Sequence, residues 1–287
     1  HTSSPHTSSP HACDSRLPPQ GGAVYQGTFR MNEVSGVGRY TWVDGSTYVG
    51  EVHAGLRHGA GTFAAPGGWP LYDGEWRGGQ RHGAGSISWG PSSNCYYSGE
   101  WANDKKEGEG AMDYESGNRY EGQWKADQRH GSGTMNWFDR QERYVGEWAD
   151  GMPHGHGEHI WLKPQITTTP FQSRERYVGQ WDEGQRHGIG TFFYANGTRY
   201  EGQWVLGKKH GRGVFTYEDG SVYDGDFDGD RMTESFLKPA ALDLMKVGWG
   251  GRHSSPPIHT HPPPTRPRIH APHTPPRTPH PPRTPHP

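Results

Sequence analysis

The sequence predicts an all-β protein: an elongated single-layer antiparallel ribbon of stacked β-hairpins with disordered N- and C-terminal tails. Three observations carry this. First, tyrosine opens nine similar segments, at Tyr25, Tyr48, Tyr72, Tyr97, Tyr120, Tyr144, Tyr177, Tyr200 and Tyr223, and every interval but one is 23–25 residues. A period in the range of about 20–50 residues marks a stacked array, in which each unit buries its apolar face against its neighbours. Second, tyrosine, glycine and tryptophan stand at i, i+2 and i+4, as in Tyr72-Asp-Gly74-Glu-Trp76. That spacing gathers all three on one face of a strand and scatters them around a helix. Third, glycines recur several times per unit, and each would cost a helix about 1 kcal/mol.

Each unit divides in the same way. A first strand runs through the tyrosine, glycine and tryptophan, and the intervening Glu51, Glu75, Glu100, Gln123, Glu147, Gln180, Gln203 and Asp226 are expected on the opposite, water-facing side. A loop of about six residues should follow, as in Arg77-Gly-Gly-Gln-Arg-His82, and then a second extended run such as Gly83-Ala-Gly85-Ser-Ile-Ser-Trp89. Glycine within a strand marks a bulge or a close approach, so rings of neighbouring units are expected to lie across the bare glycines. Asp44-Gly45, Ser116-Gly117, Asn196-Gly197 and Asp219-Gly220 suit the positive-φ positions of the turns between units. A lone hairpin is marginal in water, and stacking supplies the stability. Nine such hairpins would make an untwisted ribbon of about 85 Å, at ~4.8 Å per strand.

Composition sets the limits of the ordered part. Leu, Ile, Val and Phe make up about 12% of the chain, below the roughly 20% under which disorder is the default. Yet aromatic residues reach 12% and the formal charge is only -2, unlike chains that fail to bury surface. Residues 25–232 are therefore read as the array, with an insertion at 162–176. Residues 1–24 form a disordered segment that opens on His-Thr-Ser-Ser-Pro written twice, and 233–253 a short capping segment with a helix starting near Pro239. Residues 254–287 contain 14 prolines and six histidines, a composition that favours extended conformers without a core.

The same composition excludes several functions. Residues 25–253 carry 24 basic and 30 acidic side chains, so the body has no general affinity for nucleic acid. Cys13 and Cys95 are the only cysteines, which gives neither a disulfide framework nor a zinc site and fits a reducing compartment. No stretch approaches the roughly 18 apolar residues of a membrane span. No glycine pair follows a buried strand and opens a helix, and there is no nucleophile elbow, HExxH or P-loop lysine. The sequence therefore predicts neither an enzyme nor a cofactor.

Two groups of residues are candidates for partner binding. Arg57, Arg81, Arg129, Arg186 and Lys209, with Lys106 nearby, form a column just before the recurrent histidines 58, 82, 130, 154, 187 and 210. Stacking should line them along one edge, where they could grip acidic proteins or anionic lipid headgroups. The irregular insertion offers Ile166, Pro170 and Phe171, and irregular loops on rigid scaffolds often carry recognition. The histidines are read as loop closure, because stacking sets equivalents about 10 Å apart, too far for shared metal ligation. His154, His156 and His159 form the one tighter group. Tyr72, Trp76, Tyr97, Trp101, Tyr120, Trp124, Tyr144, Trp148, Tyr177, Trp181, Tyr200 and Trp204 are the predicted core.

Tyr120-Glu-Gly122-Gln-Trp124, followed by His130-Gly-Ser-Gly133 and repeated with few changes from Tyr177 and Tyr200, resembles the MORN repeat (membrane occupation and recognition nexus). Phe29, Val52 and Phe227 in place of tryptophan, and Glu107 in place of histidine, mark units expected to be looser or capping. A narrower resemblance, to MORN proteins of the radial spoke head, lies in Trp161–Arg176, Phe192–Gly197 and Gly207–Gly211. It implies a scaffold in the cytoskeleton of motile cilia or flagella whose partners are other axonemal or radial spoke proteins. MORN arrays also precede lipid kinase and lysine methyltransferase domains, for which the stretch after Met232 is too short. The alternative reading is a phosphoinositide-binding membrane tether.

Overall fold

The computed structural model describes residues 22–91, 94–162 and 175–233, together with the backbone of residues 237–238. Among the described residues one antiparallel sheet holds all nineteen strands. Eight full hairpins follow in chain order: β1 Val24–Arg30 with β2 Glu33–Thr41, β3 Thr47–His53 with β4 Leu56–Ala64, β5 Leu71–Arg77 with β6 Gln80–Ser88, and β7 Tyr96–Ala102 with β8 Lys105–Asp113. Then come β9 Arg119–Lys125 with β10 Gln128–Trp137, β11 Glu142–Ala149 with β12 Met152–Trp161, β13 Arg176–Asp182 with β14 Gln185–Phe193, and β15 Arg199–Val205 with β16 Lys208–Thr216. The ninth unit is β17 Val222–Asp228, lined at its two ends by the two-residue strands β18 Arg231–Met232 and β19 Leu237–Lys238. One turn of 3-10 helix, Pro66–Gly68, lies in the connection between β4 and β5.

From β1 to β18 every strand pairs with its neighbour in sequence, and β19 returns to β17, so contacts are local. The register is set by glycine. Gly38 faces Gly50, Gly50 faces Gly61, Gly61 faces Gly74, and the row continues to Gly213 opposite Gly225. On one face beside this row run the aromatic residues, and on the other runs a mixed polar row. The row runs unbroken from β12 to β13, where Gly157 faces Gly179.

The six-residue loop expected after each tryptophan is shorter. Gln80 and Arg81 already belong to β6, and Gly78–Gly79 alone make the turn. All nine hairpin turns share this geometry, with φ of 45–57° at the first central residue and 63–86° at the second. Such turns twist with the strands they join. The offset they introduce is absorbed two residues later by a bulge at His-Gly (Glu-Gly in the fourth unit), whose glycine takes φ of 53–60° in Gly59, Gly83, Gly108, Gly131, Gly155, Gly188 and Gly211. The turns between units are as expected, with Gly45, Gly117, Gly197 and Gly220 at φ of 80–88°. The helix expected near Pro239, the residue 1–21 and 254–287 tails and Cys13 lie outside the described residues. Leu237–Lys238, just before that helix, is strand.

Candidate functional site

The ring-bearing face follows from the register. Each tyrosine lies across the glycines of its own hairpin: a Cβ on Gly61 would collide with the Tyr48 hydroxyl, and one on Gly85 with that of Tyr72. Neighbours were expected to cover these glycines; the tyrosines of the same unit do so instead. From Tyr48 to Tyr223 each hydroxyl then donates to the carbonyl three residues on, at 2.7–2.9 Å. Burial of these phenols raises the hydroxyls of Tyr48, Tyr72, Tyr97, Tyr120, Tyr144 and Tyr177 far above the ordinary phenol range and pushes Tyr200 up to about 12.

Tryptophan makes the joint between units. The indole N–H of Trp76, Trp101, Trp124, Trp148, Trp181 and Trp204 donates to a glycine carbonyl of the preceding unit at 2.8–3.2 Å. Each of these indoles meets the tyrosine of its own unit and that of the unit before, edge to face. The result is an unbroken file of fifteen rings from Tyr48 to Tyr223, with centroids 4.8–5.5 Å apart and planes at 75–89°. Edge-to-face aromatic pairs add about 0.5–1.5 kcal/mol each beyond area burial. The units lacking tryptophan differ in outcome. Val52 and Phe227 are both 3% exposed and are not loose, whereas Phe29 is 60% exposed.

The basic column does not stand in solvent. Arg57, Arg81, Arg129 and Arg186 place their guanidinium groups 4.3–4.6 Å over Trp76, Trp101, Trp148 and Trp204 of the following unit, and Lys106 lies 4.9 Å over Trp124. Arg57, Arg129 and Arg186 each also donate to the next hairpin turn, at the carbonyls of Gly79, Gly151 and Gly207. Arg81 binds the Asp104 carboxylate at 3.1 Å and its carbonyl at 2.8 Å. Lys209 lies among Tyr194, Tyr200 and Phe215 and donates to the Tyr194 hydroxyl. Burial pulls the Arg57 guanidinium down to about 10, which leaves it charged at neutral pH, and lowers Arg186 in the same direction. These side chains clamp units together. Five of the six ladder tryptophans carry such a cation; at Trp181 the corresponding position is Pro153, and the His159 ring lies 5.8 Å from the indole.

A second device escaped the sequence reading. The glutamate or glutamine between glycine and tryptophan was expected simply to meet water. It accepts instead from the backbone N–H just beyond the bulge, 2.7–3.4 Å, in seven successive units from Glu51 with Ala60 to Gln203 with Arg212. A buried or half-shielded amide freed by a bulge needs such an acceptor. The recurrent histidines sit in the bulge itself, and the carbonyls of His58, His154 and His187 lie 3.3–3.5 Å from tyrosine hydroxyls. His154 faces Asp182, and His159 stacks on Trp161 with its Nε2 3.3 Å from Glu142, so these two do not converge. Among the described residues no group of three metal-ligating side chains is placed to hold an ion. Ile166, Pro170 and Phe171 lie outside the described residues.

What stays open is the face opposite the rings. Its central row includes Thr62, Asp73, Glu121, Glu158 and Asp224, cross-linked by Thr62 to Asp73 at 2.9 Å, Arg176 to Glu158 at 3.0 Å and Arg212 to Asp224 at 3.0 Å. Val49, Val145 and Val178 interrupt it, 36–46% exposed. Such exposed pairs contribute little stability, so this row is free to change partners.

A model of the MORN repeat matches the chain at residues 25–47, 48–69, 72–93, 97–119, 120–141, 144–161, 177–199 and 200–222. The chain belongs to the MORN-repeat family. These eight MORN repeats coincide with the eight full hairpins, and the ninth unit, whose second strand is reduced to β18 and β19, falls outside the match. No curated protein matches the chain in sequence. No helix among the described residues is long and apolar enough to cross a membrane.

Proposed function

We propose that this MORN array is a non-catalytic scaffold that holds other proteins in the radial spoke head of motile cilia or flagella. MORN repeats point to a protein-binding or membrane-binding module, and one observation weights the choice toward protein. The basic side chains that a lipid headgroup would need are spent on internal clamps, with Arg81 only 5% exposed, while the polar face opposite the rings is uncovered. The ciliary reading rests on the run Trp161–Arg176 and on Phe192–Gly197 and Gly207–Gly211, which resemble radial spoke head protein 10 homolog B. Locating the chain in the axoneme is part of the same proposal.

Fractionation of demembranated cilia, followed by release of the spokes, tests it. The chain should stay with the axoneme and leave with the spokes. Flotation of the intact chain on vesicles containing phosphoinositide, together with its loss from the axoneme on demembranation, would overturn the scaffold reading in favour of a membrane tether.

A further inference from the structure

Eight junctions between units share one register. In seven of them a first strand reading aromatic-x-glycine-x-ring receives the second strand of the preceding unit, which reads glycine-x-glycine-x-apolar or, at His159, glycine-x-glycine-x-histidine; in the first junction Val52 holds the ring position. Thus Gly188 faces Trp204, Gly190 faces Gly202, and Phe192 faces Tyr200. β1 is built as the receiving half of such a junction. Tyr25, Gly27 and Phe29 occupy the three positions, and Tyr25 meets Phe29 edge to face at 5.4 Å, as tyrosine meets tryptophan in the interior. Its own hairpin partner β2 takes one side; among the described residues no strand pairs with the other.

The side chains along this edge have the exposure of an unfilled joint. Phe29 is 60% exposed, against 2% for Trp76 and Trp204 at the same place in interior units, and Val24 and Met31 beside it are 62% and 101% exposed. In the interior the preceding tyrosine packs against this ring at 4.8–5.5 Å; Phe29 has no such neighbour among the described residues. The other end is not equivalent. The outer side of β17 is taken at both ends by β18 and β19, and Thr233 N–H donates to the Asp226 carbonyl between them. Unpaired strand edges template further pairing, and strand addition draws affinity from the backbone and selectivity from alternate side chains.

We propose that the outer edge of β1 is a docking site for a strand of the form glycine-x-glycine-x-aromatic, contributed by another MORN-repeat chain. The two glycines are the selective element. One admits Phe29, as Gly59 admits Trp76, and the other lies against Gly27, where backbones approach with no side chain between them. The contact is heterologous, so it joins chains in order instead of closing a symmetric pair. It refines the scaffold reading by naming a partner class, yet it stands or falls separately: ciliary fractionation says nothing about β1, and strand capture says nothing about the cilium.

The probe is a fluorescent peptide with the sequence of residues 185–194, titrated into the full chain and followed by anisotropy, with backbone hydrogen exchange across residues 24–30. Saturable binding should slow exchange in β1, weaken at least tenfold in the Phe29→Lys variant, and vanish when the peptide glycines matching Gly188 and Gly190 are valine. Phe29 is exposed enough that the variant keeps its fold, which a melting curve verifies. Equal binding of the valine peptide, or no effect of Phe29→Lys, overturns the proposal. So does exchange in β1 that is already slow along the whole strand without peptide in a chain that sediments as a monomer, because the edge would then be covered by another part of this chain.

Discussion

Trp124 is the test of the joint. Its side chain is 5% exposed, donates to Gly110 at 3.1 Å, meets Tyr97 and Tyr120 at 5.5 and 5.1 Å, and lies under the Lys106 ammonium. Burying about 200 Å² of indole at ~25 cal/mol per Å² is worth roughly 5 kcal/mol as an upper bound. Trp124→Ala leaves the Gly110 carbonyl without its donor and a cavity between two units, and core Trp→Ala changes cost about 3–5 kcal/mol. We expect a loss of about 4 kcal/mol in urea unfolding followed by tryptophan fluorescence and by circular dichroism. Because contacts are between neighbours only, the variant should also show a shallower transition as the two halves unfold separately. Trp124→Phe, which keeps a ring in the file, should recover about half of the loss. A loss under about 1 kcal/mol would mean that the indole is not holding the units together, and the stacked-joint account would fail.

Two other outcomes follow from the same geometry. Leu206 holds φ at 48° in its hairpin turn with its side chain 68% exposed, so Leu206→Gly should raise stability by about 0.5 kcal/mol, the relief of left-handed strain less the added freedom of the unfolded chain; a drop in melting temperature would contradict it. The buried phenols give a pH signature: with folded values raised, their contribution is complete below the unfolded value near 10 and is lost as pH rises from there toward the folded values, about 12 for Tyr200. The urea midpoint should therefore fall steeply between pH 10 and 12, and a flat midpoint across that span would refute the buried-hydroxyl arrangement.

The pattern Tyr-x-Gly-x-Trp was enough to read the strands, their common face and the stacking, because a two-residue period in a repeated frame has one physical solution. Turn length was not legible in the same way. Gln80, Arg81 and His82 carry no extended-strand signal, and only the bulge at His82-Gly83 lets them rejoin the sheet. The role of the basic column was hidden by composition, since arginine next to histidine and glycine reads as a solvated loop. The clue lay in the numbering: Arg81 and Arg129 each follow a tryptophan by five residues, and across a two-residue turn that separation makes them direct partners, Trp76 with Arg81 and Trp124 with Arg129, hence on one face. Which unit a tryptophan leans on was not recoverable, because periodicity is silent about the direction in which a ring is thrown.

That direction has a consequence for how such a protein can change in evolution. Five joints are made by the same three hands, an indole reaching back, a cation reaching forward, and a turn amide bonded to the unit behind, and the amide, at 2.9–3.1 Å, recurs at the other three. Duplicating or excising one whole repeat would leave all surviving joints chemically unaltered and move whatever is attached at the far end by about 10 Å, two strand spacings. The fold behaves as a ruler with discrete graduations, whose reach can be edited one notch at a time without redesigning its material.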